Sequence, residues 1–201
     1  METRKTLVVG MAGGSASGKT TFARQLVESF EDSELVVELF NLDKYFYRGK
    51  EGGPTFISPS TGELMPHNNH PNSADNARLV ADMDTRCSEV DAPDVLIVEG
   101  LMTLHVEEIR SRLDLRLFME LDADVRAVRR IWRDMSGARG NTDPKFIGTY
   151  YLECARVGHA LYVEPSRVHA DLILRGDADF QRTVPLVMAV IRDRVTQRRK
   201  G

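Results

Sequence analysis

Short apolar runs alternate along the chain with segments whose apolar residues recur every three to four positions. Runs of this kind are typical of buried strands, and the three-to-four-residue period is typical of amphipathic helices. The run 95–98 is apolar at every position, which indicates a central parallel strand buried on both faces. The alternation predicts an α/β fold, with a parallel sheet covered by helices on both faces. Predicted strands occupy residues 7–9, 35–40, 95–98, 115–121 and 172–174.

The predicted helices carry apolar residues on one side. One helix is predicted after the first strand and another after residue 121. Three more are predicted at 73–83, at 146–163 and near the C-terminus. In the helix that follows residue 121, basic residues fall on the side opposite the apolar stripe. The first helix has its apolar face at Phe22, Leu26, Val27 and Phe30. The stripe of the later helix consists of Val125, Val128, Trp132 and Met135, and its basic side of Arg126, Arg129, Arg130 and Arg133.

Two irregular segments interrupt this pattern. Residues 44–72 are rich in Gly, Pro, Ser and Asn and are predicted to form a long loop, which in a compact domain is usually functional or mobile. Gly137 to Pro144 breaks the helical pattern after the basic helix. We therefore predict a short lid at about residues 136–146.

Length and charge narrow the class of protein. The 201 residues suit one α/β domain, which we predict to span residues 1–201. The formal net charge is −3, whereas a protein that wraps a polynucleotide is usually basic. We therefore expect a small anionic ligand and no nucleic acid polymer. No apolar run is long enough to cross a bilayer, so no membrane partner is expected. Cys87 and Cys154 have no metal-ligand spacing and form no disulfide framework, which fits a reducing cytoplasm.

A complete phosphate-binding motif follows the first predicted strand and precedes the first helix. The pattern is Gly, four residues, Gly, Lys and then Thr, as in a P-loop. Glycines allow the backbone to curl so that successive N–H groups face phosphate oxygens, and the helix N-terminus adds positive potential. Lys19 would place a cation on the β and γ phosphates, and the Thr20 hydroxyl could ligate Mg²⁺. The motif predicts binding of ATP with Mg²⁺ through Gly13, Gly14, Ser15, Ala16, Ser17, Gly18, Lys19, Thr20 and Thr21.

Acidic residues follow two other predicted strands at the edge of the sheet where ligands bind in open α/β folds. Glu99 directly follows the apolar run 95–98, and its carboxylate could hold Mg²⁺ directly or through water. Asp43 follows the second strand, where it could accept the proton of an attacking hydroxyl. Alternatively, Asp43 could simply form a turn after its strand. Glu99 could be an acidic residue exposed to solvent at the end of its strand.

The basic helix and the predicted lid could stabilise a transferring phosphoryl group. Arginine suits this role because its planar fork bonds two oxygens at once. Arg130, Arg133 and, from the lid, Arg139 are the candidates. The alternative is a solvated helix face paired with neighbouring acids such as Asp134. Beside Asp43, the aromatic residues Tyr45, Phe46 and Tyr47 could stack on a base or sugar, or pack in the core.

Taken together, these residues resemble those of the uridine kinase family of P-loop kinases, which also includes phosphoribulokinase-like and nicotinamide riboside kinase-like enzymes. The phosphate-binding motif is similar almost residue for residue, and the resemblance extends over nearly the whole chain. It implies that Asp43 is the catalytic base, that Glu99 binds Mg²⁺, and that Arg175 lies near the adenine pocket. Its other similar segments are Asp43-Lys44-Tyr45-Phe46, His70-Pro71, Val98-Glu99-Gly100, Arg129 to Asp134 with Arg139-Gly140, and Val163 to Ile173.

The sequence departs from the family where the acceptor is recognised. Asn69 stands where uridine kinases have an Asp before the His-Pro pair of the nucleoside-contacting loop. No hairpin that reads the pyrimidine is visible between this loop and the strand ending at Glu99. Asn141 and Thr149 replace an Arg and a Gln near the lid.

The resemblance implies an ATP- and Mg²⁺-dependent kinase of a small-molecule primary hydroxyl, with the 5′-hydroxyl of uridine or cytidine as the first choice. The acceptor would contact Asp43, Tyr45, Phe46, Asn69, His70 and Arg130. Nicotinamide riboside, a sugar phosphate such as ribulose 5-phosphate, and a pantothenate-like alcohol remain alternative acceptors. A nucleotide-binding regulatory switch is an alternative of another class. The family resemblance also suggests self-association.

Overall fold

The computed structural model describes residues 6–47, 52–138 and 140–200. All predicted strands and helices are present, with ends that differ by a few residues. The strands are β1 (Leu7–Gly13), β2 (Val37–Asn41), β3 (Thr55–Ile57), β4 (Leu64–Pro66), β5 (Val95–Glu99), β6 (Leu115–Glu120) and β7 (Leu172–Arg175). The helices are α1 (Lys19–Glu28), α2 (Asn76–Ser88), α3 (Glu107–Arg110), α4 (Ala123–Arg133), α5 (Pro144–Tyr150), α6 (Arg156–Gly158) and α7 (Phe180–Lys200).

Five of the strands form one parallel sheet in the order β2–β5–β1–β6–β7. The central strand β1 is buried at every position, as its apolar composition requires. Because the strands are parallel, their carboxyl ends meet at one edge of the sheet. In the register at that edge, Glu99 of β5 lies beside Met11 of β1 and Asn41 of β2. The chain segments that follow these three strands are thereby brought together.

Helices cover both faces of the sheet, which confirms the predicted fold class. On one face α1 and α7 pack against the odd-numbered side chains of β1, such as Val9 and Met11. On the other face α2 and α3 pack against Val8 and Ala12. This division follows from the alternation of side chains along a strand. Each large apolar side chain buried here contributes about 1.5–3 kcal/mol. Within the described residues, no helix is both long and apolar enough to span a membrane.

The segment predicted as a long loop contains a small hairpin. Strands β3 and β4 pair antiparallel, with Phe56 opposite Met65. The hairpin is tied to the helical segment after α5, because Glu153 accepts hydrogen bonds from the Ser58 hydroxyl at 2.6 Å and the Ser60 amide at 3.1 Å. These hydrogen bonds hold the pKa of Glu153 below its usual value. Each strand has only three residues, which is too short to give a periodic signal in the sequence.

Helix α4 turns its basic side inward and its apolar stripe outward. Arg126 is 4% exposed, whereas Trp132 is 69% exposed, and Val128 and Met135 are also exposed. The alternative of a solvated arginine face thus does not describe Arg126, although Arg130 and Arg133 do pair with Asp134 as that alternative expected. The physical reason is the position of α4 after β6, which places its basic side beside the glycine-rich loop that follows β1.

Candidate active site

The loop between β1 and α1 has the strained conformation of a phosphate cradle. Gly13 and Gly18 have φ angles of 149° and 98°, and Ala16 is the one non-glycine residue with positive φ among the described residues, at 63°. Such a conformation costs about 1–2 kcal/mol for a residue with a Cβ, and strain of this kind is concentrated at functional sites. The loop ends where α1 begins at Lys19, so the helix N-terminus adds its positive potential to the loop.

Two close approaches hold this loop from behind. A Cβ on Gly176 would collide with the carbonyl oxygen of Ser17, and a Cβ on Gly14 would lie 2.6 Å from Nη1 of Arg126. Gly176 itself is fixed by two hydrogen bonds. Its amide donates to the backbone carbonyl of Glu120 at 2.7 Å, and its carbonyl accepts from Nη1 of Arg129 at 2.9 Å. The missing side chains therefore allow the segment after β7 and helix α4 to support the phosphate-binding loop directly.

Thr20 and Glu99 meet at the edge of the sheet. The Thr20 hydroxyl donates to Oε1 of Glu99 at 3.1 Å, and Glu99 is only 1% exposed. Burial raises the pKa of Glu99, the nearby Lys19 ammonium lowers it, and the Asp43 carboxylate raises it. The order of these effects leaves the pKa of this carboxyl above its ordinary value.

The pair fits a magnesium ion that is carried largely by phosphate oxygens. Mg²⁺ prefers oxygen ligands and is usually held by one or two protein groups together with substrate phosphates and water. Thr20 and Glu99 supply a hydroxyl and a carboxylate at the foot of the phosphate-binding loop. Among the described residues no three His, Cys, Asp or Glu side chains form a metal cage. The donor set thus suits a metal that arrives with a nucleotide.

Asp43 stands on a 3₁₀ turn, Leu42–Tyr45, that follows β2. The Asn41 side chain accepts a hydrogen bond from the Asp43 amide at 2.7 Å, which fixes the start of this turn. Gly100 allows the turn to pack closely, because a Cβ there would lie 2.5 Å from Cβ of Leu42. Asp43 is partly buried and lines the same cavity as Lys19.

A cavity of about 750 Å³ opens above these residues. Its cationic wall carries Lys19 and three arginines of α4, of which Arg129 was not among the predicted site residues. Arg133 Nη1 lies 3.4 Å from the Ser15 hydroxyl of the loop. The predicted lid residue Arg139 lies outside the described residues. The remaining lining comes from Ser15, Ala16, Gly18, Thr20, Thr21, Asp43, Phe46, Pro66, Asn68, Asn69, Leu101, Ala138 and Gly140.

The cavity is also lined by Phe46, Leu101 and the segment that follows β4. Asn69 is 3% exposed, and its backbone packs against Gly158, where a Cβ would collide with it. Asn68 was not among the predicted site residues. Its backbone N–H donates to the Tyr150 hydroxyl at 3.1 Å. That hydroxyl donates in turn to the Pro66 carbonyl at 3.0 Å. Asn68 and Asn69 thus line the same cavity as the phosphate-binding loop.

Three predicted ligand contacts are not brought to this cavity. The Tyr45 hydroxyl donates to Asp82 at 2.8 Å, and burial with this contact raises the pKa of Tyr45 to about 12. Nδ1 of His70 accepts from the Asn72 amide at 3.1 Å, and its ring packs against Tyr162. Arg175 is exposed and pairs with Asp177. Gly13, Gly14 and Ser17 shape the loop without lining the cavity.

Comparison with known proteins identifies relatives that match over most of the chain. The profile of the Phosphoribulokinase / Uridine kinase family matches residues 64–180. A uridine kinase of Geobacillus kaustophilus (strain HTA426) is 31% identical over 216 residues, covering 97% of this chain and 98% of the relative. A uridine kinase of Deinococcus deserti (strain DSM 17065 / CIP 109153 / LMG 22923 / VCD115) is 34% identical over 191 residues, covering 85% and 87%.

Solved structures share the fold at lower sequence identity. A possible uridine kinase from Bacillus stearothermophilus has a TM-score of 0.58 and 15% identity, covering 87% of this chain and 91% of its own. Shikimate kinase from Acinetobacter baumannii has a TM-score of 0.54 and 14% identity, covering 95% and 96%. Both matches support the P-loop kinase fold. The family profile and the curated relatives show that this chain belongs to the Phosphoribulokinase / Uridine kinase family and is a kinase of that family.

Proposed function

We propose that the chain transfers the γ-phosphoryl group of ATP to a primary hydroxyl of a small molecule, with the 5′-hydroxyl of uridine or cytidine as the first choice. The observation that carries this proposal is that Asp43, Lys19 and three arginines of α4 line one cavity above the phosphate-binding loop. The uridine kinases among the curated relatives favour a pyrimidine nucleoside as the acceptor.

The cationic wall of the cavity binds the triphosphate. Backbone amides of the loop and the N-terminus of α1 face the phosphates, and Lys19 contacts their β and γ oxygens. Arg130 and Arg133 stabilise the charge on the transferring group. Thr20 and Glu99 would hold Mg²⁺, which neutralises part of the phosphate charge. We assign Arg139 to the same task from the predicted lid, which would exclude water as a competing acceptor.

The acceptor binds in the same cavity, beside Asp43, Phe46 and the two asparagines Asn68 and Asn69. Asp43 hydrogen-bonds the primary hydroxyl and accepts its proton as the oxygen attacks the γ-phosphorus. The amides of Asn68 and Asn69 can each donate to and accept from hydroxyl groups of the acceptor. Phe46 offers an apolar wall beside Asp43. These contacts suit a polyhydroxylated molecule with one reactive end.

One structural observation favours alternative acceptors. Only a short turn connects α2 to β5, and the hairpin β3–β4 lies before the asparagines instead of after them. The acceptor-binding end therefore differs from the expected uridine kinase pattern, although the phosphate-binding parts are kept. Nicotinamide riboside, a ribulose 5-phosphate-like sugar phosphate or a pantothenate-like alcohol would be the alternative acceptors.

An acceptor panel tests this proposal. The protein is incubated with Mg²⁺, ATP and one candidate alcohol at a time, and ADP formation and the phosphorylated product are both measured. Turnover with uridine or cytidine supports the first choice, and turnover with another alcohol alone replaces it. ATP hydrolysis with no phosphorylated product from any acceptor would favour the regulatory switch and overturn the proposed transfer.

A further inference from the structure

Two arginines of the cavity share one buried carboxylate. Asp134 directly follows α4, and its side chain is 5% exposed. Its Oδ1 accepts from Nε of Arg133 at 2.8 Å and lies 2.7 Å from Nη2 of the same guanidinium. Its Oδ2 lies 3.4 Å from Nε of Arg130. A carboxylate buried between two guanidiniums at the cavity wall does more than terminate the helix.

The contact with Asp134 uses one particular edge of Arg133. A guanidinium is planar, so a hold on its Nε–Nη2 edge also fixes the direction of Nη1. That remaining nitrogen points toward the phosphate-binding loop, 3.4 Å from the Ser15 hydroxyl. Asp134 therefore does not occupy the nitrogen that would meet a phosphate on the loop.

Arg130 is held from two sides. Oδ2 of Asp134 forms an ion pair with its Nε at 3.4 Å, and the centroid of the Tyr150 ring lies 5.4 Å from its Cζ atom. Only 12% of the Arg130 side chain is exposed, although it lines the cavity. An arginine loses considerable rotamer freedom when it binds a ligand, and here much of that freedom is removed before the ligand arrives.

We propose that Asp134 is a positioning residue, which presets Arg133 and Arg130 so that their outer nitrogens face the γ-phosphate of a bound nucleotide. The inference rests on the proposed function, because it takes ATP as the ligand of the loop. Preorganised donors stabilise developing charge best when they need not reorient during the reaction. Without Asp134, the loop would still bind the phosphates shared by ATP and ADP, but the contact that distinguishes them would weaken.

The test compares binding of Mg·ATP and Mg·ADP by calorimetry, which requires no acceptor. The variant is Asp134→Asn, which keeps the size of the side chain but places an NH₂ group against a guanidinium. The matched control is Asp124→Asn, an exposed acid at the other end of α4. We expect Asp134→Asn to keep ADP affinity within about threefold and to reduce the preference for ATP by about tenfold or more. The control should change neither affinity.

Two further results keep the inference separate from general damage to the fold. Asp134→Glu retains the charge but moves the carboxylate, and it should show the same loss of ATP preference with an unchanged melting temperature, even if the Asn variant does not fold. Adding Arg133→Lys to Asp134→Asn should cause little further loss, because both changes remove one interaction. Unchanged ATP preference in the folded Asp134 variants, or no such preference in the wild type, overturns the inference. Absence of phosphoryl transfer by a wild type that binds ATP overturns only the proposed function.

Discussion

Thr20 and Glu99 are 79 residues apart in the sequence, and their side-chain oxygens lie 3.1 Å apart at the foot of the phosphate-binding loop. The parallel register of β1 and β5 produces this contact, because it places Glu99 beside Met11, near the start of the loop. A hydroxyl and a carboxylate are thus presented together at the point where a nucleotide-bound cation would lie. The strand register of the central sheet therefore determines the position of Glu99 relative to the phosphate-binding loop.

Glu99→Gln should lower the affinity for Mg²⁺ and raise the stability of the unliganded protein. The variant loses the negative charge that would hold Mg²⁺ in the proposed site, so we expect the apparent affinity for Mg²⁺ in the presence of ATP to fall about 10–100-fold. Burial raises the pKa of Glu99, which means that the folded protein disfavours its ionised form. This group therefore favours folding at acidic pH and loses that contribution as the pH rises through its folded pKa.

Neutral Gln removes this penalty, so the unliganded variant should melt at a higher temperature than the wild type at neutral pH. Calorimetric melting and Mg²⁺ titration of activity measure the two effects. Glu63→Gln, at an exposed position, serves as the control. A variant with lowered melting temperature and normal Mg²⁺ dependence would contradict the assignment of Glu99.

His159 should make the fold sensitive to acid. Burial, together with the positive charges of the neighbouring Arg126 and Lys19, lowers the pKa of His159 to about 4. Glu164, 3.2 Å from Nε2, would favour the charged form, but its carboxylate is half exposed and its effect is correspondingly screened. The folded protein thus binds this proton more weakly than the unfolded chain.

The sign of the pH effect follows from that difference. Stability should fall as the pH drops from about 6.5 toward 4, by up to about 3 kcal/mol from this group. Urea unfolding at about pH 7 and about pH 5 measures it in the wild type and in His159→Gln. The variant should lose less stability over this interval, and an equal loss in both proteins would refute the role of His159.

Gly176→Ala should disturb the phosphate-binding loop from behind. The added Cβ would meet the carbonyl oxygen of Ser17, so either β7 or the loop must shift. We expect ATP affinity to fall about tenfold or more, with a loss of stability of about 1–3 kcal/mol. Gly148→Ala is the matched control, because its Cβ would meet nothing within 4 Å and it lies inside α5. Equal effects of the two substitutions on ATP binding would show that this support does not matter.

The parts of the site that the sequence predicted are those determined by local pattern. The phosphate-binding motif requires a strand, a glycine-rich turn and a helix in succession, and Glu99 is marked by the continuous apolar run before it. Such signals depend on neighbouring residues alone. The fold class followed from the same alternation of strands and helices.

The parts that could not be predicted depend on packing between distant segments. The periodicity of α4 separates an arginine side from an apolar side, but it does not indicate which side faces the sheet. The structure buries Arg126 and exposes Trp132 because the phosphate-binding loop lies beside the helix. Likewise, nothing near Tyr45 in the sequence shows that its hydroxyl bonds Asp82, which lies 37 residues away on α2.

In the proposed mechanism the transfer of a phosphoryl group to an alcohol depends on Asp43, and substitution of Asp43 by Asn tests the account most directly. Single-turnover transfer from ATP to the best acceptor should be measured in parallel with ATP binding. We predict a rate about 10²–10⁴-fold lower in Asp43→Asn, with ATP affinity within about threefold of the wild type, because only the proton acceptor is lost. Asp82→Asn should leave the transfer rate nearly unchanged. An Asp43→Asn protein that transfers phosphoryl groups at the wild-type rate would contradict the proposed mechanism.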